Sequence, residues 1–317
     1  MNQQPNNLVK FTWDFLRELR PRQWIKNFAL FAGLIFSGNL DNPPALIIST
    51  KAFFVFCLAS SATYLINDIL DIDRDRQHPF KKFRPIASGA IPVPLAVICA
   101  IVFTAIALYQ SYYINPAFFF ATTGYLALQL LYSAILKSII LVDVMTIAAG
   151  FVLRIYAGVW AIGAHLNVWF LLTITAFALF IAIGKRRSEL TLMQHRASKT
   201  RETLLHYPEN LLDILTSMFA NSTWLAYALF AFLQPPIVAQ PKVIGLLSFL
   251  DFQFTQAKYL MATVPIVIYG IMRYLYVIYE KKEGESPERV LLTDKSLLFS
   301  AILWLVVTIG IIYLLGA

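Results

Sequence analysis

Read along its length, the chain is a succession of long apolar runs separated by short polar interruptions. A helix that crosses the hydrocarbon of a bilayer needs about 17–25 mostly apolar residues. Nine stretches meet that length: 24–40, 46–66, 91–109, 115–136, 139–161, 168–185, 211–233, 258–279 and 297–315. The first is the shortest and reads as tilted or partly interfacial. Residues 8–22 are amphipathic instead, suited to a helix lying on a membrane surface and ended by Pro21. The pattern predicts an all-α, polytopic membrane bundle of about nine transmembrane helices. It forms one integral-membrane domain over 1–317, with 1–22 as a cytoplasmic or interfacial lead. Polar connections at 67–90 and 186–210 are the cytoplasmic loops with room for a site.

Composition sharpens this picture. Of 317 residues, 58% are apolar and only 14% charged, against about 25% charged in a soluble domain. An ordinary soluble globule, a disordered chain, a coiled coil, a collagen and a disulfide scaffold are all excluded. Cys57 and Cys99 both sit in apolar runs without metal-type spacing. The first twenty residues lack the apolar core and small-residue cleavage site of a secretory signal, so no cleavage is expected.

The net charge of +8 is unevenly placed. With the N-terminus inside, the inner loops hold Arg20, Arg22, Lys26, Arg74, Arg76, Lys81, Lys82, Arg84, Lys137, Lys185–Arg187 and Lys281. Only Lys51, Lys242 and Lys258 fall outside. That bias sets a cytoplasmic N-terminus in a plasma (inner) membrane. The basic residues are scattered between spans rather than along one surface, which argues against nucleic acid as a partner. A homo-oligomer is compatible with the sequence but not specified by it.

The candidate chemistry lies at the inner end of the second stretch, Asn67-Asp68-Ile-Leu-Asp71-Ile-Asp73-Arg74-Asp75. Asn67, Asp71 and Asp75 are spaced i, i+4, i+8, and Asp68 joins them, so on one helix they share a broad face while Asp73 points away. Clustered like charges destabilise a helix unless something positive is bound. Oxygen-only donors favour a hard cation, and Mg²⁺ takes one or two carboxylates together with substrate phosphates. Asn67, Asp68, Asp71 and Asp75 are therefore the candidate metal ligands. Arg154, inside a span, is costly there and is expected to face a cavity or a partner. It lies about three turns beyond Asp143 on one helix.

The segment Asn67-Asp68-x-x-Asp71-x-x-x-Asp75 resembles the first aspartate-rich motif of the UbiA prenyltransferase superfamily. Further segments resemble its decaprenyl-phosphate phosphoribosyltransferase branch over roughly residues 18–300. They are Leu19-Arg20-Pro21-Arg22-Gln23-Trp24-Ile-Lys26-Asn27, His78-Pro79 through Arg84-Pro85, Tyr132-Ser133 to Lys137, Gly150 to Gly158, and Gly184-Lys185-Arg186-Arg187. The resemblance implies an Mg²⁺-dependent glycosyltransferase. It would move 5-phosphoribose from phosphoribosyl diphosphate to a polyprenyl phosphate for lipid-linked sugar and cell-envelope synthesis. Asp68, Asp71 and Asp75 would be the catalytic acids. Arg22, Gln23, Lys26, Asn27, Arg84, Tyr132, Lys137, Asp143, Arg154, Lys185 and Arg186 would line the substrates.

Where prenyl-transferring members carry a second acidic motif, this chain has Lys185-Arg186-Arg187-x-Glu189, which suits a further phosphate. The alternatives are a prenyltransferase acting on a prenyl diphosphate and an aromatic acceptor, and a transporter. The first predicts a second acidic motif and the second an inverted repeat; neither is found in the sequence.

Overall fold

The computed structural model describes residues 7–77, 81–195, 207–234, 258–281 and 286–315. Among these residues the chain is helical throughout, with no strand. Eight helices are long and apolar enough to cross a membrane: Pro43–Leu70, Val93–Ile114, Pro116–Ala134, Val142–Ala161, Val168–Thr191, Glu209–Leu233, Tyr259–Lys281 and Lys295–Tyr313. They match the second to ninth predicted stretches. Large apolar side chains face outward along them, among them Ile98, Ile101, Phe120, Phe299 and Val306, as lipid-facing surfaces require.

The stretch at 24–40 departs from the prediction. The amphipathic helix α1 (Asn7–Glu18) precedes it, and Arg20 adopts a left-handed conformation (φ 52°) before Pro21. Pro21–Leu30 then winds as a 3₁₀ helix, followed by the short α2 (Phe31–Phe36). At three residues per turn, Trp24, Asn27 and Leu30 form one row. That row faces α3 (Pro43–Leu70): Trp24 Nε1 donates to Ser61 Oγ (3.1 Å), and Asn27 Nδ2 to Ser60 Oγ (3.3 Å). Tertiary partners for polar residues thus replace the α-helical ladder that apolar length alone would predict.

The chain divides into two compact units. The first takes in the chain up to Leu34 and Asn42–His165. It holds α1, α2 as far as Leu34, α3, α4 (Ile72–Gln77), α5 (Val93–Ile114), α6 (Pro116–Ala134) and α7 (Val142–Ala161). Its core packs Leu30, Phe56, Phe118, Tyr125 and Ala157. The second takes in Ile35–Asp41, Leu166–His195 and the chain from Tyr207. It holds α8 (Val168–His195), α9 (Glu209–Leu233), α10 (Val264–Tyr276), α11 (Pro287–Thr293) and α12 (Lys295–Ile309). Phe180, Tyr274, Ile278, Val290 and Leu297 form its core.

One expected feature changes. The connection placed at 186–210 is helical to His195 and again from Glu209; the basic residues Arg196, Lys199 and Arg201 lie outside the described residues, as do His78 and His206. Arg273, in the last turn of α10, is bound by Asp294, which also accepts from Lys281 (2.7 Å) and caps α12 at Leu297 N (3.0 Å).

Within the first unit the 3₁₀ segment lies directly against α7. A Cβ at Gly158 would stand 2.0 Å from the Leu30 carbonyl oxygen. Gly158→Ala is therefore expected to lower thermal stability in detergent by about 1–3 kcal/mol or more, the cost of overpacking. An unchanged melting temperature would show that the two backbones have room to part.

Candidate active site

One face of α3 carries Cys57, Ser60, Ser61, Tyr64, Asp68 and Asp71 at three- and four-residue steps, a polar stripe leading to the acidic cluster. The cluster is not one helix. α3 ends at Leu70, Asp71 caps it (φ −96°, ψ 7°), and α4 begins at Ile72. Backbone hydrogen bonds still span the bend, from Asp71 N to Asn67 O (3.0 Å) and from Asp75 N to Asp71 O (2.8 Å). The bend relieves the axial crowding of like charges that a straight helix would enforce. Asp68 and Asp75 are buried, Asn67 is half-buried, and Asp73 is 87% exposed, as its spacing predicted.

Three cations answer the three inward carboxylates. Arg20 Nη2 binds both oxygens of Asp68. Arg84 Nη1 bridges Asp68 Oδ1 (2.9 Å) and Asp75 Oδ2 (2.6 Å). Lys137, itself buried in the short 3₁₀ turn after α6, donates to Asp71 Oδ1 (2.8 Å) and Oδ2 (3.0 Å). Arg20 also stacks 4.8 Å over the Tyr64 ring. Burial raises the Asp75 carboxyl above its usual range, and Arg84 opposes that rise.

Among the described residues, no group of three or more His, Cys, Asp or Glu side chains is gathered as a metal cage. The donor set nevertheless fits a hard divalent ion. It is all oxygen and sits at a helix end, and such an ion needs few protein ligands when phosphate oxygens complete its sphere. Carboxylates and cations are matched here, so an anionic ligand can take the cations while a metal takes the carboxylates.

Two residues of this site were not foreseen. Arg20 had been counted only as an inner-loop charge; its left-handed backbone before proline, a strained state for a non-glycine residue, is what aims it at Asp68. Glu18, the last residue of α1, is 2% exposed, and its Oε1 has no hydrogen-bond partner among the described residues. Burial first, then its hydrogen bond with Asp68 and that group's charge, push its carboxyl up to about 8. The raised carboxyl favours its protonated form, which can donate to the Asp68 carboxylate. Its place one step before Leu19, which packs with Phe15 beside Leu65 and Ile86, was the available signal.

A carboxyl raised in the folded state contributes stability that is complete below its unfolded value, about 4.3. That stability is lost as pH rises through the folded value. Metal-free protein is therefore expected to lose thermal stability from about pH 5 to beyond pH 8, and Glu18→Gln to flatten that slope. Melting curves at stepped pH decide this; an unaltered slope in the variant assigns the loss to another group.

The other candidates divide. Gln23, Lys26 and Tyr132 are half-buried in the first unit. Asp143 is 1% exposed in the first turn of α7. Arg22 is exposed and makes no contact with the acidic cluster. Asn27 is absent from the cluster too: its Oδ1 accepts from Arg154 Nε (3.0 Å). Arg154 also donates from Nη1 to Gly150 O (2.9 Å) and from Nη2 to Tyr125 OH (2.7 Å).

Lys185 and Arg186 belong to the second unit, on α8 rather than in a loop, and both pair with Glu189. Arg186 is 2% exposed. Arg187 is held to α9 through Asp213 and Glu209, a helix-to-helix clamp.

Comparison with known proteins was made on sequence and on structure. Residues 27–293 match the UbiA prenyltransferase family. The decaprenyl-phosphate phosphoribosyltransferase of Corynebacterium glutamicum is 33% identical, the match covering 99% of this chain and 90% of that protein. Its namesake from Mycolicibacterium smegmatis is 34% identical, with coverages of 95% and 92%. A UbiA homolog from Archaeoglobus fulgidus, solved bound to DMAPP and Mg²⁺, superposes with a TM-score of 0.66 at 21% identity, covering 94% of this chain and 99% of that one. The same homolog was also solved bound to Cd²⁺.

Proposed function

The chain belongs to the UbiA prenyltransferase family, and from that premise we propose that it transfers 5-phosphoribose from phosphoribosyl diphosphate to a polyprenyl phosphate, releasing diphosphate. One structural observation carries the reading: carboxylates and cations are matched one against another around Asp68, Asp71 and Asp75. Such a set binds a metal and a polyanion together and neither well alone. The near full-length similarity to proteins named as decaprenyl-phosphate phosphoribosyltransferases supports the choice of donor and acceptor.

Asp68, Asp71 and Asp75, with Asn67, would hold Mg²⁺, which when bound supplies charge neutralisation for the departing diphosphate. Arg20, Arg84 and Lys137 exchange their carboxylate partners for diphosphate oxygens, and charge-assisted hydrogen bonds fix the leaving group. The bond between ribose C1 and the diphosphate oxygen breaks, its electron pair leaving with the diphosphate. A phosphate oxygen of the acceptor forms the new bond to C1 from the opposite face, inverting that carbon. This nucleophile is already anionic, so no general base is required. Lys26 and Tyr132, half-buried in the same unit, would contact the ribosyl end of the donor.

The chain is a multi-pass membrane protein. The excess of Lys and Arg in alternate loops supports a cytoplasmic N-terminus and a cytoplasmic site, where a water-soluble donor is available.

The test is incubation of the purified protein with Mg²⁺, ribose-labelled phosphoribosyl diphosphate and a panel of polyprenyl phosphates. Metal-dependent label in the organic phase, abolished by chelation, is the expected result. No label with any acceptor, together with turnover of a prenyl diphosphate, would move the chain to prenyl transfer.

A further inference from the structure

Arg154 poses an electrostatic problem that the diphosphate site does not solve. Its guanidinium is permanently charged and 6% exposed within α7, a membrane-spanning helix. Each of its partners is neutral: the Asn27 amide oxygen, the Gly150 carbonyl and the Tyr125 hydroxyl. It also stacks 4.7 Å from the Tyr125 ring centroid. Among the described residues no carboxylate pairs with it. A buried charge without a counter-charge is costly, and neutral dipoles offset only part of that cost.

The surroundings hold the charge in place rather than cancel it. The Asn27 amide is locked by Ser60 Oγ (3.3 Å) and Cys57 Sγ (3.4 Å), which turns its oxygen toward the guanidinium. Tyr125 is 1% exposed. At Gly150 a Cβ would crowd Gln129 Nε2 at 3.2 Å and stand 3.8 Å from Arg154 Nη1, so glycine leaves room for Gln129 beside the cation. Among the described residues these bonds engage three of the five guanidinium N–H donors.

The location indicates which anion is missing. Asp68 and Ser60 lie about 12 Å apart along α3. The Ser60 level, where Asn27 and Arg154 meet, thus lies deeper along α3 than the diphosphate end. Diphosphate already has Arg20, Arg84 and Lys137. A charge reached at that depth, among apolar helices, suits an anion that arrives on a hydrocarbon tail.

We propose that Arg154, oriented by Asn27 and Tyr125, is the seat for the phosphate of the lipid acceptor. The inference rests on the phosphoribosyl-transfer reading and assigns one of its two substrates to a second cationic centre. The ligand chemistry is a phosphate monoester. The donor's own 5-phosphate shares that chemistry and is separated by the test.

The test is equilibrium binding in detergent with three probes: decaprenyl phosphate, decaprenol, and phosphoribosyl diphosphate with Mg²⁺. Wild type is expected to prefer decaprenyl phosphate over decaprenol. Arg154→Met should lose that preference, a fall of about 10- to 100-fold for one charge-assisted contact. Decaprenol and donor binding should stay within about twofold, below the weight of any charged contact. Arg154→Lys should recover part of the preference.

Retention of the phosphate preference in Arg154→Met overturns the proposal, and so does a selective loss of donor affinity, which would give the seat to the 5-phosphate. Should Arg154→Met fail to fold, Asn27→Ala and Tyr125→Phe carry the same comparison, and an unaltered preference in both overturns it. If wild type itself binds no polyprenyl phosphate, the phosphoribosyl-transfer reading falls, and this assignment with it. Wild-type binding that ignores the Arg154 substitution removes this assignment alone.

Discussion

Asp71→Asn is expected to reduce phosphoribosyl transfer by about three orders of magnitude or more while leaving the protein folded. The side chain is isosteric but neutral. It removes one of the few anionic oxygens available to a divalent ion, and with it several kcal/mol of transition-state stabilisation. The structural cost is small by comparison. Asp71 is 20% exposed and its carboxylate meets Lys137 at the rim of the site, where a lost ion pair costs about 1 kcal/mol. The measurement is kcat at saturating donor and Mg²⁺, set beside the melting temperature in detergent. Turnover within tenfold of wild type in a folded Asp71→Asn variant would falsify the metal assignment.

Arg84→Met should be the second most damaging change, and for a different reason. Arg84 touches both Asp68 and Asp75, so its removal leaves a buried carboxyl at Asp75 with its nearest cation gone. Burial already raises that carboxyl; without Arg84 it rises further, which weakens Asp75 as an anionic donor to the site. The leaving group loses a charge-assisted donor as well. Together these are expected to lower kcat/KM by about 10²–10³ and to destabilise the fold by about 1–3 kcal/mol. Arg84→Lys should recover most of the stability but little of the rate, because Nη1 alone makes both carboxylate contacts and an ammonium in its place cannot bridge them and also fork onto the diphosphate. Equal rates for Arg84→Lys and wild type would argue that only charge, not the bridge, is used.

Both variants probe residues that the sequence identifies by type and spacing. Asn67, Asp68, Asp71 and Asp75 are legible because oxygen-bearing side chains at helical intervals beside an apolar run make a face that repels itself until a cation binds. Arg84 and Lys137 are legible through resemblance. Arg20 and Glu18 are not. They reach Asp68 from a separate segment, Arg20 across 48 residues, and such a partnership leaves no trace in local periodicity. The same limit applies to Arg154. Its cost inside a span is evident from the sequence, but its pairing with Asn27, 127 residues away, depends on the close approach of Leu30 to Gly158.

The first apolar stretch shows the boundary most clearly. Length and hydropathy admit it as a span. Pro21, the polar residues up to Asn27 and the packing against α3 and α7 make it a 3₁₀ segment followed by a short helix. Hydropathy determines which residues leave water, because that depends on composition over a window of the chain. Eight of the nine predicted spans and a membrane setting follow from that. Which cation neutralises which carboxylate, where the helix bends at Asp71, and which buried arginine is left facing neutral dipoles are decided by tertiary structure. These depend on distances between segments remote in sequence, and only packing brings those segments together.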